Sequence, residues 1–177
     1  MGKISERRKV LERILTCVPS RSAWHRRLLR QTQAEEVLVG VHLAIFVEPY
    51  LTAVLEGKKT IESRFAVTRR PPYNCIEPND YILLKKSGGP VIGLALAGST
   101  HFYQLSPAVL TDLRQRFAQQ LFAQDDLFWT DRAAKHYATL IELEEPMAIQ
   151  PVTIPKRDRQ GWVTYDRHLR VTAQLHL

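Results

Sequence analysis

Two cysteines, Cys17 and Cys75, are the only thiols in 177 residues, and they stand far apart in the chain. Two are too few for a disulfide framework, and with no Cys-x-x-Cys pair they supply no metal-binding or redox motif. They are expected as free thiols of a reducing cytoplasm. Histidine is sparse as well. His25, His42, His101, His136, His168 and His176 show no His-x-x-x-His spacing and no carboxylate-spaced set, so no metal site is expected and no cofactor is implied. His42 reads as a hydrogen-bonded core residue of a buried strand. No apolar run approaches the ~18 residues that a membrane-crossing helix needs. The basic start is not followed by an apolar stretch with a small-residue cleavage site, so a cytoplasmic protein is expected. Repeats and low-complexity tracts are absent.

What the chain has is a lopsided charge. Its net charge is +7. Residues 1–34 hold nine basic side chains against Glu6 and Glu12, a surplus of seven, so the rest of the chain is neutral on balance. A neutral body with a cationic arm suits an anionic partner, phosphate backbone being the commonest, although an arm whose arginines simply face water has the same composition. The arm is predicted helical. Ile4, Val10, Leu11, Ile14, Leu15 and Val18 form one apolar stripe, and Pro19 breaks it. Ser20 or Ser22 can cap a second helix carrying Trp24, Leu28 and Leu29. The two helices would form a hairpin over residues 1–36 that lays its stripe on a body of residues 37–177. Arg7, Arg8, Arg26, Arg27 and Arg30 are its candidate phosphate contacts.

In the body, residues 37–47 are β-branched and apolar, the best candidate for a central strand. A short helix at 49–56 follows. Arg69 to Tyr73 must be a loop, because Pro71 and Pro72 cannot sustain ladder hydrogen bonds. Strands are predicted near 80–86 and 90–99, with Ser87, Gly88 and Gly89 as the turn. Ser106-Pro107 starts a helix over 106–120, and a second short helix is predicted at about 130–135. Residues 137–143 alternate like a strand, Pro146, Pro151 and Pro155 space out an irregular segment, and a last strand lies near 162–165. Strands interrupted by helices without regular βαβ alternation argue against a doubly wound sheet. The expected class is α+β, a small mixed barrel with flanking helices behind a basic helical extension.

Gly57-Lys58-Lys59-Thr60-Ile61-Glu62-Ser63-Arg64 is the most informative stretch. Gly57 suits a left-handed helix stop. If the chain is extended after it, Glu62 and Arg64 share one face, because strand side chains repeat every second position. A carboxylate beside cations at a helix-to-strand junction can bind a polar, planar ligand, or it can be a plain ion-pair network.

The pattern G-x-K-x-x-E-x-R after a short helix resembles the signature of the ASCH domain. That family belongs to the PUA-like β-barrels, associated with RNA binding and nucleoside chemistry. The resemblance extends over His42 to Tyr50, which look like the family's first strand and its turn into the helix. It continues over Pro78 to Lys85 and Pro90 to Ala95, which look like the next two strands. It implies a cleft lined by Lys59, Glu62 and Arg64 that binds RNA, a nucleotide or a modified base, with Arg64 clamping a phosphate or carboxylate. Lys85, Lys86 and Ser87 beside two glycines could admit a phosphate, and turn composition alone explains them equally well. Lys156, Arg157 and Arg159 beside Trp162 mix cations with an aromatic ring, as backbone-tracking surfaces do. Trp162 alone reads as a core residue of the last strand.

Two rivals stand beside this reading. Some family members hydrolyse an acetyl amide from modified cytidine with a lysine, a threonine three residues later and a glutamate from a following strand. Here Lys59 matches the lysine, Glu62 occupies the threonine position, and residues 91–99 contain no acid. Two of those three groups are therefore missing. A ribonuclease activity is also known in the family, and no histidine pair supports it. If the protein is an enzyme, Lys59 and Glu62 carry the chemistry. The other rival is an interaction module whose basic hairpin docks an acidic protein.

Overall fold

The computed structural model describes residues 5–34, 37, 39–156 and 160–165. Within them, five helices and six strands follow in the order α1 (Glu6–Leu15), α2 (Ala23–Gln33), β1 (Val41–Phe46), α3 (Tyr50–Leu55), β2 (Ile61–Ala66), β3 (Tyr81–Lys86), β4 (Val91–Gln104), α4 (Pro107–Phe117), α5 (Asp126–Thr130), β5 (Tyr137–Val152) and β6 (Trp162–Tyr165). The strands form one sheet in the order β2-β5-β4-β3-β1-β6. β1 and β3 are parallel and every other pair is antiparallel. The class is mixed α+β, a curled half-barrel flanked by helices. No helix among the described residues is long and apolar enough to cross a membrane.

Strand alternation divides the interior. Val41 and Leu43 of β1, with Tyr81 and Leu83 of β3, face the helical arm and share a core with Val10, Leu11, Ile14, Val18, Trp24 and Leu28. Ala44, Phe46, Ile82 and Leu84 face the other way, onto Leu51 and Val54 of α3 and onto Trp162. A third cluster packs α4, α5 and their connection against Ile61, Ala138 and Leu140. Apart from Ile4, which lies outside the described residues, the apolar stripe of the arm thus rests on the sheet, and Ser22 caps α2 by accepting from the His25 N–H. Leu29, grouped with that stripe from sequence, lies 37% exposed instead.

Three boundaries differ from the sequence expectation. β4 runs to Gln104, since its second half pairs residue by residue with β5 from Thr100↔Ile141 to Gln104↔Tyr137. β5 extends through Pro146 and Pro151, where an irregular segment was expected. Both prolines sit where the β4–β5 register shifts, between Leu94/Leu96 and between Val91/Gly93, and pairing of β5 with β2 has ended by Glu142. A missing N–H does no harm at a bulge on a strand paired on one side. The short helix expected at 130–135 is α5, at Asp126–Thr130. Asp125 caps it by accepting from the Leu127 N–H, which sets its start four residues earlier.

The bulge of β5 also anchors the arm. Glu145, with φ of +46°, takes a bidentate pair from Arg27 at 2.5 and 2.7 Å. Its carbonyl accepts from the Trp24 indole at 3.1 Å. Arm and sheet therefore share one core, and Leu28→Ala should cost about 2–5 kcal/mol, the usual range for a buried leucine. Urea unfolding should keep a single transition at a lower midpoint. A separate early transition would show the arm to be an independent unit.

Candidate functional site

Local rules position the signature residues. Gly57 ends α3 with φ of +72°, a conformation that only glycine adopts without strain. The Lys58 and Lys59 N–H groups then both return to the Ala53 carbonyl, at 2.8 and 2.9 Å. That turn drives the Lys59 side chain inward, where it is 3% exposed. Its ammonium donates to the Ile61 carbonyl at 2.6 Å and the Leu121 carbonyl at 3.0 Å, and it meets Glu62 Oε2 at 3.3 Å. Three protons thus have three acceptors. The Lys59 pKa lies below the ordinary 10.5, because burial outweighs the attraction of Glu62.

Glu62 and Arg64 do share a face of β2, and they touch. Arg64 Nε lies 2.8 Å from Glu62 Oε1. The same guanidinium donates from Nη1 to the Gly161 carbonyl at 3.0 Å and from Nη2 to the Ile45 carbonyl at 2.9 Å. Its Cζ lies 5.4 Å from the Phe46 ring centroid and 5.2 Å from that of Trp162. β2 is one edge of the sheet and β6 the other. Arg64 therefore spans the open seam of the half-barrel, tying β2 to β1 and to the entry of β6.

Against that seam lies a cavity of about 470 Å³, lined by Ile45, Phe46, Val47, Tyr50, Lys59, Glu62, Ser63, Arg64, Phe65, Phe128, Asp131, Arg132 and Lys135. Its size is within the ~300–1,000 Å³ common for small-molecule sites. The three signature residues converge on it. So do two cations that the sequence reading missed, Arg132 and Lys135, which follow α5. The Arg132 Cζ sits 3.5 Å from the Phe128 ring centroid and 5.3 Å from that of Phe65. Nη1 of Arg132 donates to the Phe128 carbonyl at 2.6 Å, while its buried Nε has no hydrogen-bond partner. Burial lowers the pKa of Arg132, outweighing the attraction of Tyr50, Asp131 and Glu62. Among the described residues neither Arg132 nor Lys135 is in an ion pair. The signal that could have found them is the run Phe128-Trp129 followed by Arg132 and Lys135, the same aromatic-and-basic mixture noted near Trp162.

The other expected site residues lie elsewhere. Lys85 turns back to donate to the Gly89 carbonyl of its own turn. Lys86 lies 3.9 Å from Glu48, and the Ser87 N–H donates to the Phe46 carbonyl. None of the three lines the cavity. In the arm, Arg7 is 5% exposed and donates to Gln31 and the Val39 carbonyl, so it offers nothing to an external phosphate. Arg27 is held by Glu145. Arg8, Arg26 and Arg30 stand exposed, the first beside Glu12 at 3.1 Å. Lys156 is half-buried, and Arg157 and Arg159 lie outside the described residues. Trp162 is buried and donates to His42 Nδ1 at 3.2 Å, while His42 Nε2 lies 3.0 Å from Asp80. His42 is thus a satisfied core histidine. No group of three or more metal-ligating side chains is gathered among the described residues.

The curled half-barrel flanked by helices resembles solved ASCH structures. Solved structures agree at the level of fold. The ASCH crystal structure from Zymomonas mobilis matches with a TM-score of 0.52 at 20% identity, covering 64% of this chain and 73% of that one. A serine-to-alanine mutant of the same Zymomonas mobilis protein matches with a TM-score of 0.57 at 19% identity, covering 72% and 89%. No protein-family model matches the sequence, and no curated protein does. The chain has the ASCH fold.

Two substitutions test the cluster. Lys59→Met leaves two carbonyls and a carboxylate under-satisfied and should cost about 3–5 kcal/mol. In wild type the unfolded chain keeps a proton that the folded chain releases, because the folded pKa is lowered. Wild-type stability relative to the variant should therefore rise with pH as the ordinary lysine value of 10.5 is approached from below. A pH-independent difference in urea midpoints would contradict this. Arg64→Lys keeps the charge and loses the fork, and should cost about 2 kcal/mol. Thermal melts matching wild type would show that the seam does not need the guanidinium.

Proposed function

We propose that this protein binds a nucleotide, free or as part of RNA, in the seam cavity. The observation that carries the reading is Arg132, a partly desolvated guanidinium against Phe128 that feels the charge of Asp131 and Glu62 but makes no ion pair among the described residues. A half-buried cation of this kind gains from an anionic guest. Lys135 adds a second positive charge on the same wall. The rings of Phe46, Tyr50, Phe65 and Phe128 provide apolar surface of the kind on which a base stacks, worth about 1–3 kcal/mol per base in single-strand binders. In this reading the phosphate meets Arg132 and Lys135, and the base enters toward the rings.

The roles within the signature change accordingly. Lys59 and Arg64 spend their hydrogen bonds on backbone carbonyls and both pair with Glu62, so the three shape the cavity wall and set its polarity. Of the arm residues, Arg8, Arg26 and Arg30 remain for sequence-blind phosphate contact with a longer RNA, which would be salt-sensitive. The two free cysteines support a cytoplasmic setting.

A hydrolase acting on a modified nucleoside is the second reading, and one observation favours it. Burial pushes the Lys59 pKa down, as in lysines used for acid–base work. Against it stand the three acceptors that already hold the ammonium. Turnover of acylated cytidines by wild type and its loss in Lys59→Ala would establish that reading.

Binding is tested by calorimetry with the four 5′-ribonucleotides at low salt. At least one should bind in the micromolar to millimolar range, and Arg132→Ala should weaken it about tenfold or more, the loss of a charge-assisted contact. No binding of any nucleotide, or equal binding by Arg132→Ala, would overturn the proposal.

A further inference from the structure

A second cavity, of about 200 Å³, adjoins the first along the same seam. Its walls include Arg70, Pro72, Tyr73, Tyr137 and Trp162, and it shares Arg64 and Phe65 with the larger cavity. Arg64 thus stands between two hollows. The smaller one has room for a single ring system, since about 150 Å³ is enough to hold benzene in an apolar interior. Its aromatic residues are braced by one another: the rings of Tyr73 and Tyr137 lie 5.2 Å apart, and Tyr73 meets Phe102 at 5.5 Å. Cations attend it as well. Arg70 lines it, and the Arg69 guanidinium lies 5.2 Å from the Tyr137 ring centroid. None of these residues takes part in the site already described, apart from the shared wall.

The geometry points to a two-nucleotide site, in which the second cavity takes the neighbour of the nucleotide in the first. This rests on the nucleotide reading given above. Arg64 has the chemistry to join the two halves. A guanidinium carries five N–H donors. Two are directed at the Gly161 and Ile45 carbonyls, and Nε, which makes no hydrogen bond, lies 2.8 Å from Glu62 Oε1 as an ion pair. One N–H on each terminal nitrogen is left, and Arg64 lines both cavities, so that a phosphodiester linking the two nucleotides would meet it. Rings on both sides of a cation are the arrangement that tracks a single strand with little regard to sequence. The preferred ligand is then a single-stranded oligonucleotide rather than a free mononucleotide.

Calorimetry on the full chain with a 5′-mononucleotide and with the dinucleotide of the same base separates the cases. The dinucleotide should bind about tenfold tighter, the scale of one added stacked base. Arg70→Ala, a change at an exposed position, should remove most of that gain while leaving the mononucleotide affinity as in wild type. As a second readout, a dinucleotide carrying 4-thiouridine should photocrosslink to Tyr73 or Tyr137. Mononucleotide binding with no gain for the dinucleotide, or a gain that Arg70→Ala leaves intact, would overturn this inference and spare the first cavity. Binding of neither ligand would overturn both.

Discussion

The Arg64 guanidinium holds the two edges of the sheet together, and the site exists because it does. An open six-stranded sheet leaves unpaired backbone groups on its outer strands, and a curled sheet brings those strands toward each other without closing the ladder. Here one side chain bridges the gap, from β2 to the carbonyls of Ile45 and Gly161. A point contact closes the seam at one level only. Hollows are left on either side of it, and these are the two cavities. Glu62 keeps the guanidinium oriented, and Lys59 in turn ties Glu62 to the α4–α5 connection through the Leu121 carbonyl.

This arrangement separates two jobs that a motif invites one to merge. Lys59 and Glu62 are buried and Arg64 is half-buried; both cations pair with Glu62 and bond to backbone carbonyls, which makes the three builders of the wall. Positive charge held in no ion pair among the described residues comes from Arg132 and Lys135, which follow α5. The energetic contrast is clear. The Arg64 guanidinium has both terminal nitrogens on carbonyls and an ion pair with Glu62. The Arg132 guanidinium has one carbonyl, lies on a phenyl ring and is in no ion pair among the described residues, and it gains more from an incoming anion.

Local sequence rules carried a good part of this. Gly57 as a left-handed stop, Ser22 and Ser106 as caps, the alternation that puts Glu62 beside Arg64, and the arm's apolar stripe all depend on residues a few positions apart. The long reach of β5 was not legible, because Pro146 and Pro151 argue locally against a strand, and their harmlessness depends on which neighbour pairs there. Nor could sequence show that Arg64 would find carbonyls in place of a ligand, or that Arg7 would be buried against Gln31. Those partners lie tens of residues away. Arg132 and Lys135 escaped notice for a related reason: their turn acquires meaning only when α5 folds over the edge of β2.

The most direct test of the account is a crystal structure of the protein with a bound 5′-nucleotide. The account predicts phosphate oxygens within hydrogen-bond reach of Arg132 and Lys135, a base against the cavity's aromatic rings, and Arg64 still donating to the Ile45 and Gly161 carbonyls. A nucleotide that pulls Arg64 from those carbonyls to serve as its main clamp would contradict the division of labour. A nucleotide bound away from the seam would contradict the site itself.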